Sequence, residues 1–140
     1  MPLPTSFNLS SGYHIPAVGF GTWDAVEAAR PGLFGTTLFA LKCGYRSIDT
    51  AWAYATEKPV GEAIRESGIP RQDLFITTKV YVLCQRQFLT LSWNHMHKHV
   101  EKSAEMSLNN LGVDYIDLLL LHCKGNINVS YEYRAHCLQS

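Results

Sequence analysis

Four short apolar segments, separated by three stretches of helical spacing, leave this chain few folds to adopt. Strands that alternate with helices pair in parallel, because each helix returns the chain to the end from which the next strand starts. The strands are expected over Ala17 to Thr22, Tyr45 to Asp49, Leu74 to Lys79 and Tyr115 to Leu121. The first helix is expected over Leu33 to Lys42, with Phe34, Leu38 and Leu41 on one side and Gly44 as a left-handed stop. Thr56 is the expected N-cap of the second, where Pro59 is tolerated in the first turn, Val60, Ala63 and Ile64 form the apolar stripe, and Gly68 ends the helix. Asn94 is the expected cap of the third, which carries Met96, Val100, Ala104, Leu108 and Leu111 and stops at Gly112. Ahead of these units, two apolar stretches flank Ser11-Gly12 and read as a hairpin.

Residues 81–93 form a long, mostly apolar connection without a clear period, and residues 123–140 lose the alternation altogether. The chain has 140 residues, 46% of them hydrophobic and 17% charged, a composition of globular and not of disordered proteins. Twelve basic residues balance twelve acidic ones, which removes the electrostatic case for nucleic acid or an acidic membrane surface. The run Leu118 to Leu121 is far too short to span a bilayer and reads as a buried parallel strand. The N-terminus has neither a basic start nor an apolar stretch, so no secretory signal is expected. Cys43, Cys84, Cys123 and Cys137 are scattered without a Cys-x-x-Cys pair, which favours free thiols and a cytoplasmic location. His95, His97 and His99 suggest a metal, but on a helix only His95 and His99 share a face; a solvated helix start is the simpler reading, and no metal is expected.

Asp49, Tyr54, Lys79 and His122 each fall at or just past the end of an expected strand. In a parallel barrel, side chains at those places converge on one open face, where such folds carry their chemistry. The set suits protonation of a carbonyl oxygen and needs no nucleophile. A tyrosine is a poor acid near neutrality, and a neighbouring ammonium favours the phenolate and strengthens it. A buried carboxylate beside that ammonium holds it in place, and a histidine at the rim orients the carbonyl. Asp49, Lys79, Tyr54 and His122 can fill these parts. Side chains cannot deliver a hydride, so a nicotinamide cofactor is implied.

The surrounding residues are specific enough to carry a resemblance. They include Val18-Gly-Phe-Gly-Thr-Trp23, Gly44-Tyr-Arg-Ser-Ile-Asp-Thr-Ala51 and Glu57-Lys-Pro-Val-Gly-Glu-Ala-Ile64. Further on stand Leu74-Phe-Ile-Thr-Thr-Lys-Val80 and the run from Ser107 through Gly112-Val-Asp-Tyr-Ile-Asp117 to His122. Over residues 7–122, apart from 81–93, the chain resembles the aldo-keto reductases. That resemblance implies a parallel (β/α)8 TIM-type barrel reducing aldehydes and ketones with NADPH, or less often NADH, without metal. It implies Tyr54 as the acid, Lys79 and Asp49 as the groups that tune it, and His122 as the group that orients a small carbonyl substrate. Gly21, Thr22, Trp23 and Asp49 match positions near the nicotinamide end of the cofactor or the substrate pocket.

Departures accompany the likeness. Cys123-Lys-Gly-Asn126 follows His122 where the family has a Trp-Pro or similar pair, and the connection after Lys79 is longer than usual. A barrel of this type takes about 250 residues. The expectation is therefore an α/β chain truncated to about the first four β/α units, with residues 1–122 as the N-terminal half of a barrel and 123–140 as a divergent, irregular tail. Bare strand edges in such a half barrel favour self-association. An alternative stays open: a catalytically inactive fragment serving at most as a binding or assembly partner.

Overall fold

The structure is a computed structural model that describes residues 4–23, 32–80 and 93–122. Apart from Trp93, the irregular stretch 81–93 lies outside the described residues, as does the tail 123–140. The chain opens with an antiparallel hairpin of β1 (Ser6–Asn8) and β2 (His14–Pro16), in register Phe7 to Ile15. Four parallel strands follow: β3 (Phe20–Gly21), β4 (Ser47–Asp49), β5 (Phe75–Val80) and β6 (Leu118–Leu121). Their spatial order is β3-β4-β5-β6, the order of the sequence. The strand order of a doubly wound sheet reverses at a switch point; this one runs in a single direction, as a β/α barrel does.

The helices are α1 (Leu33–Lys42), α2 (Glu57–Ser67) and α3 (Trp93–Leu111), with α2 packed against both of the others. Gly44, Gly68 and Gly112 follow their C-termini at φ 102°, 66° and 64°, in left-handed backbone that residues with a Cβ avoid. Leu41, Ile48, Val60, Ile64, Ile76 and Leu111 join in one core between sheet and helices.

Several expectations need correction. The buried face of α1 is Leu33, Thr37, Ala40 and Leu41, with Phe34 and Leu38 only half buried. The helix is thus turned so that Thr37 and Ala40 lie inward with Leu33 and Leu41. Thr56 holds the N-cap position of α2 but makes no capping hydrogen bond, because its hydroxyl is engaged elsewhere. Asn94 is the second residue of α3 and not its cap, since the helix begins at Trp93. Leu118–Leu121 is not buried: it is half exposed, and Leu121 is 48% exposed, because among the described residues β6 pairs with β5 alone.

The hairpin ladder is extended one step beyond Ser6 and Pro16 by the Ala17 amide donating to the Thr5 carbonyl. Arg71, in a short 3-10 turn before β5, donates to the carbonyls of Leu74 and Tyr115 and to Asp117 Oδ2 at 2.6 Å. Asp117 Oδ2 also accepts from the Ile76 amide at 2.8 Å, so one carboxylate fixes the entry of β6 beside β5.

Candidate active site

All four candidate residues gather at the C-terminal end of the parallel sheet. Asp49 is the last residue of β4, and Lys79 lies at the matching end of β5. His122 follows β6 directly, its amide donating to the Val80 carbonyl at 2.8 Å and extending the ladder by one step. Tyr54 closes a 3-10 turn (Trp52–Tyr54) between β4 and α2. Tight turns at strand ends keep side chains from sequence-distant positions within one small volume.

Lys79 is the hub. Its Nζ donates to Asp49 Oδ1 at 2.5 Å and to the Thr50 carbonyl at 3.0 Å. An ammonium has three donors, so one remains. Nζ lies 5.0 Å from the centroid of the Tyr54 ring, over its face, where the ring's quadrupole attracts a cation. Tyr54 meets His122 edge to face, with centroids 5.4 Å apart and planes at 83°. The carboxylate is the open member of the ion pair and the ammonium the covered one: side-chain exposure is 45% for Asp49 and 14% for Lys79. That reverses the expectation of a buried carboxylate. Asp49 is the last residue of β4, at the strand tip, whereas Lys79 lies one residue inside the end of β5.

His122 Nδ1 is buried and, among the described residues, has no hydrogen-bond partner. Buried polar nitrogens are nearly always satisfied, so this one stands out among the site residues.

The other candidates differ in how they meet this mouth. Gly21, at the end of β3, leaves open space where a Cβ would stand; the close backbone approach expected of this strand falls at Gly19, against Ser47. Trp23 is 65% exposed beyond the tip of β3. Thr22 is buried beneath the mouth, and its hydroxyl lies 3.3 Å from that of Thr56. Thr50, absent from the sequence-derived set, contributes a main-chain carbonyl, which no side-chain pattern could have disclosed. A hollow of about 590 Å³ bounded by His14, Val18 and Arg46 lies at the opposite end of the sheet and includes none of the four.

A parallel β/α sheet in sequential strand order, with a Tyr-Lys-Asp-His cluster on its C-terminal rim, defines part of a β/α-barrel scaffold. Comparison with known proteins then makes the assignment: residues 17–138 match the model of the Aldo/keto reductase family, and this chain belongs to that family. Among curated relatives, "Glycerol 2-dehydrogenase (NADP(+))" of Saccharomyces cerevisiae is 39% identical over 124 residues, which is 89% of this chain and 35% of that protein. The protein of the same name from Hypocrea jecorina is 43% identical over 124 residues, covering 84% of this chain and 35% of its own length. A solved Bombyx mori aldo-keto reductase in complex with NADP superposes with a TM-score of 0.67 at 35% identity, over 83% of this chain and 37% of that one. The chain thus spans about a third of the length of the curated relatives it matches. Its sheet is the N-terminal part of their barrel. Among the described residues no helix is long and apolar enough to cross a membrane, and no cluster of acidic, histidine and cysteine side chains could hold a metal.

Proposed function

We propose that this chain carries the proton-donor side of an NADP(H)-dependent reduction of aldehydes or ketones to alcohols, with NADH as a possible substitute. The observation that carries the reading is the unbroken run of contacts from Asp49 through Lys79 and Tyr54 to His122. The nicotinamide, when bound, supplies a hydride to the carbonyl carbon. Tyr54 gives its hydroxyl proton to the carbonyl oxygen, which completes the alcohol. The Lys79 ammonium stabilises the negative charge left on the phenol oxygen, and Asp49 with the Thr50 carbonyl keeps that ammonium from swinging out to solvent. His122 orients the carbonyl beside the Tyr54 ring.

The residues present fit such a cofactor. Gly21 leaves space for a flat ring to approach the end of β3, Asp49 is open to solvent, and the buried His122 nitrogen has no partner among the described residues. Gly21, Trp23 and Asp49 would border the nicotinamide end, with Thr22 supporting them from below. The relatives' printed names point to small hydroxylated substrates, so glyceraldehyde and dihydroxyacetone are suitable probes.

The test follows NADPH oxidation at 340 nm with wild type and Tyr54→Phe. A general acid contributes about 10²–10⁴-fold, and a loss of that order is expected in kcat while NADPH binding, read by fluorescence, persists. Turnover retained in Tyr54→Phe refutes the role of the phenol. A second reading, of an inactive assembly partner, draws on β6, which among the described residues pairs with β5 alone, and on exposed Leu121. It predicts self-association in sedimentation and no NADPH binding; a monodisperse species that binds NADPH removes it.

A further inference from the structure

Thr22, Thr50 and Thr56 are all buried to 1% exposure or less, and the Thr56 hydroxyl makes no capping hydrogen bond to its own helix. Thr56 Oγ1 lies 3.3 Å from Thr22 Oγ1 and 3.1 Å from Thr50 Oγ1, with no strand or helix ladder involved. A hydroxyl can donate once and accept as well, so Thr56 can satisfy both neighbours at the same time. The three residues come from the tip of β3, the tip of β4 and the start of α2. Each also touches the site through its backbone or its neighbour. The Thr22 amide donates to the Asp49 carbonyl at 2.9 Å, and the Thr50 carbonyl accepts from Lys79. Thr56 stands two residues after Tyr54.

Between Tyr54 and Thr56 lies Ala55 at φ 56°, the sole positive-φ residue other than glycine among the described residues. Left-handed backbone is unfavourable for alanine and persists only where the flanking structure imposes it. On one side the 3-10 turn holds it, through the Ala55 amide donating to the Trp52 carbonyl. On the other side the anchor is the Thr56 hydroxyl, turned away from its own helix and into the strand tips. The usual N-cap bond is given up for this interaction.

We propose that Thr56 is a positioning residue whose shared hydroxyl locks the turn carrying Tyr54 to the tips of β3 and β4, beside Asp49 and the Thr50 carbonyl that holds Lys79. Its part in turnover rests on the reduction proposed above, whereas its effect on geometry can be read without any turnover. The decisive variants of the 140-residue chain are Thr56→Val, which keeps the branched shape and loses the hydroxyl, and Thr56→Ser, which keeps the hydroxyl. Thr37→Val is the control, because Thr37 is equally buried but its hydroxyl has no partner among the described residues. Nuclear Overhauser effects between the Tyr54 and His122 ring protons report the geometry directly. They are expected to weaken in Thr56→Val and to persist in Thr56→Ser and Thr37→Val.

In turnover, Thr56→Val is expected to lower kcat about 10- to 100-fold, as misplacement by a fraction of an ångström to one ångström does. KM should stay unchanged, and Thr56→Ser should recover most of the loss. An unchanged ring-to-ring Overhauser effect in Thr56→Val overturns the inference, whatever the turnover. Its disappearance in Thr56→Val, with wild type inactive toward every carbonyl tried, supports the positioning role and defeats the proposed function instead. Should Thr56→Val fail to fold, Thr50→Val removes the same hydroxyl pair from the other side; an unperturbed Tyr54–His122 effect there overturns the inference equally.

Discussion

Two glycines inside helices, Gly61 and Gly35, predict opposite outcomes for the same substitution. A Cβ on Gly61 would lie 2.1 Å from the Leu111 carbonyl oxygen and 2.6 Å from its carbon, both backbone atoms of α3. Ordinary contact begins at 3.4 Å, so α3 would have to retreat by about 1.3 Å. Backbone cannot rotate aside as a side-chain tip can. Overpacking costs about 1–3 kcal/mol, and the upper end, ~3 kcal/mol, applies here because Val60 and Leu111 separate as the helices part. Alanine regains ~1 kcal/mol of helix propensity, which leaves Gly61→Ala destabilised by about 2 kcal/mol. With a urea m-value of about 1–3 kcal/mol per molar, the unfolding midpoint falls by roughly 1 M. Gly35, in the interior of α1, has nothing within 4 Å of its Cβ position. Gly35→Ala therefore keeps only the propensity gain and should raise stability by about 0.5–1 kcal/mol. A Gly61→Ala midpoint at or above wild type would refute the close crossing of α2 and α3, on which the start of α2 and hence the Tyr54 turn depend.

Further perturbations follow from the buried polar groups. Glu57, 2% exposed at the start of α2, accepts from the Thr78 hydroxyl at 2.8 Å and from Asn110 Nδ2 at 2.9 Å. Glu57→Ala strands both donors and should cost about 1–3 kcal/mol, with Glu57→Gln losing less; equal losses in chemical denaturation would rule out the acceptor role. Asp117→Ala frees the Ile76 amide and the Arg71 guanidinium at the β5–β6 entry. It should destabilise by about 1–3 kcal/mol and speed hydrogen exchange at Ile76 selectively, and unchanged exchange there would exclude the strand-docking function.

Much of the architecture was legible along the chain. The hairpin, the parallel units and the glycine stops are written in periods of 2 and 3.6 and in residues whose backbone preferences act locally. The bounds of α1 and the presence of Asp49, Tyr54, Lys79 and His122 on one rim follow from that local grammar. The rotation of α1 was not legible, since Phe34 and Leu38 are as apolar as the buried Leu33 and Leu41, and only tertiary packing selects among them.

The sequence alone thus determined which segments become strands and helices, and that polar side chains of the right chemistry end up at one end of a parallel sheet. Tertiary structure decided how those side chains are held. It chose Lys79 over Asp49 as the shielded partner, brought Thr22 to Thr56 across 34 positions, and made Gly61 a point of helix contact. It also left Leu118–Leu121 half open, because burial of a strand depends on its neighbours and not on its own hydrophobicity. Local propensity is a property of a few adjacent residues, whereas shielding, hydroxyl pairing and close crossing belong to pairs that only folding brings together.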